Sequence, residues 1–106
     1  MIEVTLIDCG NLIYFGSKGH GSHDLCVAVS ALCSAFLQYV REMQEENNVT
    51  IVNEIYENGH TESDFYIVGS DAEVRSGIKA IWTGLELYAF NYPDEVELNY
   101  DDGEPK

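Results

Sequence analysis

Hydrophobic and polar residues alternate near the N-terminus, and this pattern predicts a β-hairpin. Apolar side chains occupy every second position from Ile2 to Leu6, as in a strand with one buried face. Turn-forming residues follow at 8–11, and the apolar run from Leu12 to Phe15 predicts a second strand. Segment 16–23 contains three glycines and shows no periodicity, so we expect a loop there.

A long helix is predicted after this loop, because apolar residues then recur at steps of three or four. The apolar stripe consists of Leu25, Val29, Leu32, Phe36, Val40 and Met43. Either Ser22 or Asp24 is suited to cap the start of this helix, since a side-chain oxygen at that position accepts a free backbone N–H.

A second helix is predicted from Ser70, because Glu73 follows it three residues later in a capping-box pattern. The buried stripe of this helix consists of Val74, Ile78, Ile81, Leu85 and Tyr88. Gly77 and Gly84 lie seven residues apart and therefore on one side of the helix. Glycine destabilises a helix interior by about 1 kcal/mol relative to alanine. We therefore expect the two glycines to permit close approach of a strand or of another chain.

The remaining elements are strands. Segments 49–57 and 63–69 are strand-like, and the turn signal Asn58-Gly59 lies between them. The polar residues after this turn favour a connection longer than two residues. Val96 and Leu98 alternate with acidic residues and predict a last strand.

The pattern as a whole predicts one α+β domain over 1–100, in the order β-β-α-β-β-α-β. We expect two helices and a mixed or mainly antiparallel sheet. Residues 101–106 are predicted to form a flexible acidic tail.

The charge of the chain narrows the range of partners. Of the 106 residues, 45% are hydrophobic and 23% are charged, as in a folded domain, but 19 acidic residues and only 5 basic ones give a net charge of −14. Such a surface repels nucleic acid and anionic lipid and attracts basic proteins, although solubility explains the charge equally well. No apolar run approaches the roughly 18 residues of a membrane-spanning helix, and no signal peptide is recognised. We therefore expect a cytoplasmic protein without membrane or nucleic-acid contacts.

The three cysteines, Cys9, Cys26 and Cys33, are predicted to be free thiols. Their number is odd and no CxxC pair occurs, which disfavours a disulfide framework or a zinc site. On one helix, Cys26 and Cys33 are separated by a rise of about 10.5 Å, which is too far for a disulfide. His60 among acidic residues is only a weak metal signal, and we expect neither a metal nor another cofactor.

The candidate chemistry is concentrated between Gly19 and Cys26. The pattern places Cys26 near the start of a helix, where the helix dipole favours negative charge, and the thiolate is the nucleophilic form of cysteine. His20 lies just upstream, so the segment carries the minimum set of groups for thiol acyl transfer. Backbone amides at the helix start are suited to hold an oxyanion. Cys33 is expected to be a buried core residue. Cys9, in a turn, could be either a buried residue or a nucleophile.

This segment resembles the signature of the Prp family of cysteine proteases, also called YsxB-like, which are small bacterial proteins that trim ribosomal-protein precursors. The family signature has Gly-His, a mobile glycine-bearing loop and then Asp-Ile-Val-Cys-Ala-Ala-Val-Ser-Ala-Leu. The chain has Gly19-His20 and then Asp24-Leu25-Cys26-Val27-Ala28-Val29-Ser30-Ala31-Leu32. The N-terminal hairpin, the Asn-Gly turn, the Gly84 to Leu87 stretch and Tyr92-Pro93 also fall where the family has similar elements.

The resemblance implies that Cys26 is the nucleophile and that His20 is its histidine. It also matches Ser30 with a family serine, which lies one helical turn after the nucleophile. The hydroxyl of Ser30 would hydrogen-bond near the thiolate or bond back to the Cys26 carbonyl, and both interpretations stay open.

The chain departs from the family signature at two points. The interval between His20 and Cys26 is shorter than is usual in the family, so that the substrate loop is reduced here to Gly19, Gly21 and Ser22. The family aspartate three residues before the cysteine is replaced by His23, with Asp24 beside it. Asp24 is therefore a candidate supporting residue, and His23 is a rival of His20 for the role of base.

The resemblance implies a cysteine endopeptidase that acts as a homodimer and removes an N-terminal extension from a protein precursor. In the family this substrate is the large-subunit ribosomal protein numbered twenty-seven, and a short-loop member could instead process a phage structural protein. A basic substrate would suit the acidic chain. Two other interpretations stay open. One is a Prp-like binding module without turnover, and the other is an acidic mimic of nucleic acid with its charges on one continuous face.

Overall fold

The structure is a computed structural model, and it describes residues 1–102. Its elements are β1 (Ile2–Cys9), β2 (Leu12–Gly19), α1 (His23–Glu45), β3 (Val49–Glu57), β4 (His60–Ile67), α2 (Asp71–Asn91) and β5 (Val96–Asp101). The predicted order of elements and the α+β class are confirmed. The segment predicted as a tail, 101–106, overlaps β5 by its first residue, and 103–106 lie outside the described residues.

One five-stranded sheet forms the frame of the molecule, with its strands in the order β3-β4-β2-β1-β5. β1 and β5 run parallel, and every other neighbouring pair of strands is antiparallel, so the sheet is mixed and mainly antiparallel as predicted. The register of β2 with β4 pairs Lys18 with His60. This pairing brings the turn between β3 and β4 beside the end of β2, where the candidate residues begin.

Both helices contribute their apolar stripes to a single core with the strands of this sheet. The predicted stripe of α1 is buried except at Leu32, which is half-buried. The ring of Phe36 in α1 stacks on Phe15 of β2, with ring centroids 3.9 Å apart, and lies 6.2 Å from the ring of Phe65 in β4. Because interiors are close-packed, these contacts fix α1 against the middle of the sheet. The start of α1 therefore has a defined position relative to the end of β2.

Several strands are longer than the sequence pattern predicted. Segment 8–9 was expected in a turn, but it belongs to β1 and pairs with β2. Segment 16–19 was expected to be a loop, but β2 continues through it because its backbone pairs with β1 on one side and with β4 on the other. β4 begins at His60, directly after the two-residue turn 58–59, so the prediction of a longer connection is wrong. The polar residues Glu62 and Asp64 belong to the less buried face of β4 and alternate with buried residues. The connection from β2 to α1 is consequently only 20–22.

Gly77 and Gly84 lie on the side of α2 that approaches α1. A Cβ atom on Gly77 would collide with the ring of Tyr39, and one on Gly84 would lie 3.2 Å from Leu32 Cδ2. The close approach is therefore between two helices of the same chain, and the expectation of a strand or another chain at these glycines is corrected. The predicted homodimer now depends on the family resemblance alone.

By length and mean hydropathy, α1 also has the properties of a membrane-spanning helix, although the chain has no unbroken apolar run of that length. Seven residues of this helix are buried in the core of the domain: Leu25, Val29, Cys33, Phe36, Leu37, Val40 and Met43. A core helix needs such a stripe, so its packing on the sheet accounts for its apolar composition.

Candidate active site

The first turn of α1 positions Cys26. Ser22 occupies the N-cap position with an extended backbone, at φ −61° and ψ 155°, and its side chain makes no capping hydrogen bond. The Cys26 N–H donates to the Ser22 carbonyl oxygen at 2.9 Å and closes the first turn. Ser22, rather than Asp24, is therefore the cap of the helix, and it acts through its backbone instead of its hydroxyl.

The sulfur of Cys26 contacts both polar groups of the Gly21 backbone, the N–H and the carbonyl oxygen. The Gly21 N–H donates to Sγ at 3.2 Å, and the thiol donates to the Gly21 carbonyl oxygen at 3.5 Å. The side chain is only half-buried, which leaves part of it accessible. An N–H group aimed at the sulfur is placed where negative charge develops when a thiol acts as a nucleophile.

His20 follows the last residue of β2, and its ring rests on the turn between β3 and β4. A Cβ atom on Gly59 would lie 2.8 Å from both Cε1 and Nε2 of this ring. Gly59 has φ 79°, a conformation that glycine adopts without steric cost. The Gly19 N–H also donates to the Gly59 carbonyl oxygen at 3.2 Å, which joins the turn to the end of β2. The turn therefore forms a wall behind the imidazole.

Cys26 and His20 line one cavity of about 330 Å³. Two further predicted residues, Gly19 and Ser30, line the same cavity. The wall formed by β3, β4 and their turn consists of Tyr56, Glu57, Asn58, Gly59, His60 and Thr61. The structure thus brings the predicted nucleophile and one of its two predicted bases to the same space.

The other predicted residues lie around this cavity. His23 and Asp24 are exposed in the first turn of α1, and neither is among the described residues that line the cavity. Gly21 and Ser22 contribute backbone groups at the entry to the helix. The geometry therefore groups Cys26 with His20 and leaves His23 outside the cavity.

Solved structures with this fold include SMU.848 from Streptococcus mutans, with a TM-score of 0.69 and 21% identity over 95% of this chain and 94% of that one. The ribosomal processing protease Prp from S. aureus, in complex with a substrate peptide, gives 0.67 and 22% over 95% and 100% of the two chains. Its complex with a covalently linked product peptide gives 0.68 and 18% over the same shares. The chain has the fold of Prp. No protein-family model matches the sequence, and no curated protein does so either.

In this Prp fold, His60 is a cavity residue that sequence reasoning did not assign to the site. It is the first residue of β4, and its Nε2 lies 3.1 Å from Glu62 Oε1. The Asn-Gly turn predicted a hairpin next to His60. The sequence did not show that β4 pairs with β2, and this pairing brings His60 to the cavity. Within residues 1–102, no group of three or more His, Cys, Asp or Glu side chains is arranged to hold a metal ion.

Glu95 is a second residue near the site that the sequence pattern did not indicate. It lies in the connection between α2 and β5, and its Oε1 accepts the Ser22 N–H at 2.6 Å. Its backbone carbonyl oxygen accepts the N–H of Ile2 at 2.7 Å. Glu95 follows Asp94 in an acidic stretch that carries no motif, so only the folded chain reveals this contact.

The other two thiols differ from Cys26 in their surroundings. All three cysteines are free, as predicted. Cys33 lies on the inner wall of the cavity and is only 1% exposed. Burial raises the pKa of the Cys33 thiol, and a hydrogen bond with Ser17 opposes this rise. Cys9, at the end of β1, is exposed.

Proposed function

We propose that the chain is a cysteine endopeptidase of the Prp type. The similarity to Prp structures that hold a substrate peptide or a product peptide supports a protease role in general. The observation that carries the proposal is that Cys26, at the start of α1, and the His20 imidazole line one cavity. A cysteine and a histidine at a helix N-terminus are sufficient groups for acyl transfer.

In the proposed reaction, Cys26 Sγ attacks the scissile carbonyl carbon while its proton passes to the His20 imidazole. The sulfur–carbon bond forms, the carbon–nitrogen bond breaks, and the imidazolium returns the proton to the departing amine. Water then hydrolyses the thioester and frees the thiol. The N–H groups of 23–25 have no acceptor within the helix, so they are suited to stabilise the oxyanion. Ser30 lines the cavity as a supporting hydroxyl.

The proposed substrate is a basic protein with an N-terminal extension, first of all a ribosomal-protein precursor. The net charge of −14 and the presence of Glu57 on the cavity wall support a basic partner. A phage structural protein is the next substrate to test. Three free thiols suit a reducing compartment, so we place the reaction in the cytoplasm.

The direct test is cleavage of such precursors by the purified chain. Wild type should release the N-terminal extension, whereas Cys26→Ala should release none and keep its fold by circular dichroism. Cys9→Ala is the matched control, because this thiol lies outside the cavity lining and its loss should leave the rate unchanged. Cleavage by Cys26→Ala at the wild-type rate would overturn the proposal.

Three histidine variants identify the base. His20→Ala should lower kcat nearly as far as Cys26→Ala, because nucleophile and base act as a unit. His23→Ala should retain most of the activity, since this ring is exposed outside the cavity. An inactive His23→Ala or His60→Ala variant beside an active His20→Ala variant would show that the assignment of the base is wrong.

A binding module without turnover is the second candidate. It is favoured by the resting contacts of the sulfur, because within residues 1–102 both hydrogen bonds of Sγ go to Gly21 and not to an imidazole. Tight binding of a precursor, without any cleavage by wild type, would establish this candidate.

The homodimer is tested separately by light scattering, which should give twice the chain mass of 11.9 kDa.

A further inference from the structure

Glu95 makes its contact with the start of α1 from a distant part of the sequence. Ser22, whose N–H it accepts at 2.6 Å, is 73 residues away along the chain. The backbone of Glu95 is itself fixed at both ends, since its N–H donates to Tyr92 at 3.0 Å and its carbonyl oxygen accepts from Ile2 at 2.7 Å. The backbone that carries the carboxylate is therefore held on both sides by hydrogen bonds.

The contact has a direct consequence for Cys26, because the Ser22 N–H and the Gly21 carbonyl belong to one planar peptide unit. In a trans peptide the N–H and the C=O point in opposite directions. Glu95 holds the N–H of this unit, and the Cys26 thiol lies 3.5 Å from its carbonyl oxygen. The carboxylate thus sets the orientation of the peptide plane through the N–H. The same orientation determines where the carbonyl oxygen lies relative to the sulfur.

The same peptide also locates the N–H group that is aimed at the sulfur. The Gly21 N–H, 3.2 Å from Sγ, precedes the held peptide by a single residue. A Cβ atom on Gly21 would lie 3.2 Å from Glu95 Oε1 and 3.4 Å from Ile2 Cδ1, so this backbone is packed closely against the carboxylate. When the thiol loses its proton, the sulfur no longer donates to the Gly21 carbonyl, and its charge repels that oxygen. An unrestrained peptide would then turn away.

We propose that Glu95 is a positioning residue, which holds the Gly21–Ser22 peptide and thereby fixes the sulfur of Cys26 for attack on the substrate carbonyl. This inference rests on the proposed function. Glu95 touches neither substrate nor sulfur in this scheme, and its effect passes through the peptide plane. Hydrogen bonding to the carboxyl oxygen, rather than its charge, is the essential contribution.

The test compares Glu95→Gln with Glu95→Ala in precursor cleavage. Glutamine retains an oxygen that accepts the Ser22 N–H, so kcat should stay within about twofold of wild type. Alanine removes the acceptor, and kcat should fall about tenfold while KM stays within about twofold. Asp94→Ala, an exposed acidic neighbour, is the matched control and should match wild type. If Glu95→Ala does not fold, Glu95→Asp replaces it, because the shorter side chain withdraws the oxygen.

A second readout separates this inference from the proposed function. The rate of Cys26 alkylation by iodoacetamide, mapped by mass spectrometry, needs no protein substrate, and it should fall in Glu95→Ala and recover in Glu95→Gln. If wild type cleaves no precursor, the protease proposal fails while alkylation still decides the role of Glu95. Equal alkylation rates in Glu95→Ala and Asp94→Ala would overturn the inference. So would a Glu95→Gln variant that is as slow as Glu95→Ala.

Discussion

Cys9, Cys26 and Cys33 differ in exposure and in the groups that contact each sulfur. Cys9 is exposed, Cys26 is half-buried and Cys33 is 1% exposed, so accessibility alone would make Cys9 the most reactive thiol. Only Cys26 combines a position in the first turn of a helix with a backbone N–H directed at its sulfur. Residue chemistry and exposure therefore predict opposite orders of reactivity for Cys9 and Cys26.

We predict that iodoacetamide at pH 7 modifies Cys26 first. A helix N-terminus stabilises negative charge by up to about 1 kcal/mol, which corresponds to a rate about fivefold above that of Cys9. Cys33 should react last, since its thiol is buried. Peptide mapping after partial labelling measures this order. Labelling of Cys9 ahead of Cys26 would show that exposure alone governs the reactivity of these thiols.

At the scale of single residues, the sequence was informative where residues close along the chain also lie close in space. His20 and Cys26 are six positions apart, on either side of a short connection into a helix start, and both line the cavity. His60 and Glu95 reach the same region through strand pairing and through the α2–β5 connection. Neither contact has a local pattern, so neither could be predicted without the topology.

Among the elements, the turn between β3 and β4 has the strongest predicted effect on the site. Gly59→Ala introduces a Cβ atom 2.8 Å from Cε1 and Nε2 of His20, and it also strains a backbone at φ 79°. The strain should lower the free energy of unfolding by about 1–2 kcal/mol. The displaced ring should in addition lower the rate of precursor cleavage about tenfold or more, which is part of the roughly 10²–10⁴-fold that a general base contributes.

Gly10→Ala is the matched control for this variant. Gly10 has φ 73°, but a Cβ atom there would find no heavy atom within 4 Å. The two variants should therefore lose similar stability in urea unfolding, and only Gly59→Ala should lose activity. Equal activity in both variants would show that the turn does not support His20.

The elements were predicted well where their periodicity was long and uniform. Both helices follow their apolar stripes, and the Ser70 side chain accepts the Glu73 N–H at 3.3 Å, which is one of the two hydrogen bonds of the predicted capping box. The Ser70 N–H donates to Asn48 Oδ1 at 2.9 Å instead of to the Glu73 side chain. The ends of β2 and β4 were missed, because Gly16 to Gly19 and the polar start of β4 have weak local strand signals. Pairing with neighbours on both sides supplied the hydrogen bonds that make β2 a strand there.

At the scale of the whole molecule, three side chains with raised pKa values make the free energy of unfolding depend on pH in the alkaline range. Burial raises the pKa of Cys33 above its ordinary value of 9.0. Burial also raises the pKa values of Tyr14 and Tyr39 above 10.0, with further contributions from the carboxylates of Glu62 and Glu73, among others. The unfolded chain therefore releases these protons at lower pH than the folded chain does. Their contribution to stability is complete below pH 9 and is lost as the pH rises through the folded values.

We predict that the free energy of unfolding decreases as the pH is raised above 9. Cys33→Val keeps an apolar side chain in the core and removes the first of these titrations, so its stability should begin to fall at higher pH than that of wild type. Cys9→Ser, at an exposed site, is the control and should follow the wild-type curve. Urea titrations between pH 8 and 11 measure these curves. A wild-type free energy of unfolding that stays constant between pH 8 and 11 would contradict the predicted effect of these three groups.

The order of strands is the property of the whole molecule that the sequence could not supply. The pattern predicted seven elements and a mixed or mainly antiparallel sheet, but several strand orders satisfy the same alternation of apolar residues. The observed order places β4 beside β2, and this single pairing carries the hairpin turn to His20 and adds His60 to the cavity. The resemblance to Prp was most specific in the segment from Gly19 to Leu32 and was expected to extend along the chain, and the fold matches that of Prp over 95% of this chain.

If Cys26 is the nucleophile, it forms a covalent bond to the substrate, and this intermediate can be trapped. A ribosomal-protein precursor is mixed with the enzyme, quenched in acid within the first turnover and examined by intact-mass and peptide mass spectrometry. We predict a thioester between Cys26 and the released N-terminal extension, labile to hydroxylamine and absent from Cys26→Ala. Cleavage without any adduct on Cys26, continuing unchanged in Cys26→Ala, would show that Cys26 is not the nucleophile.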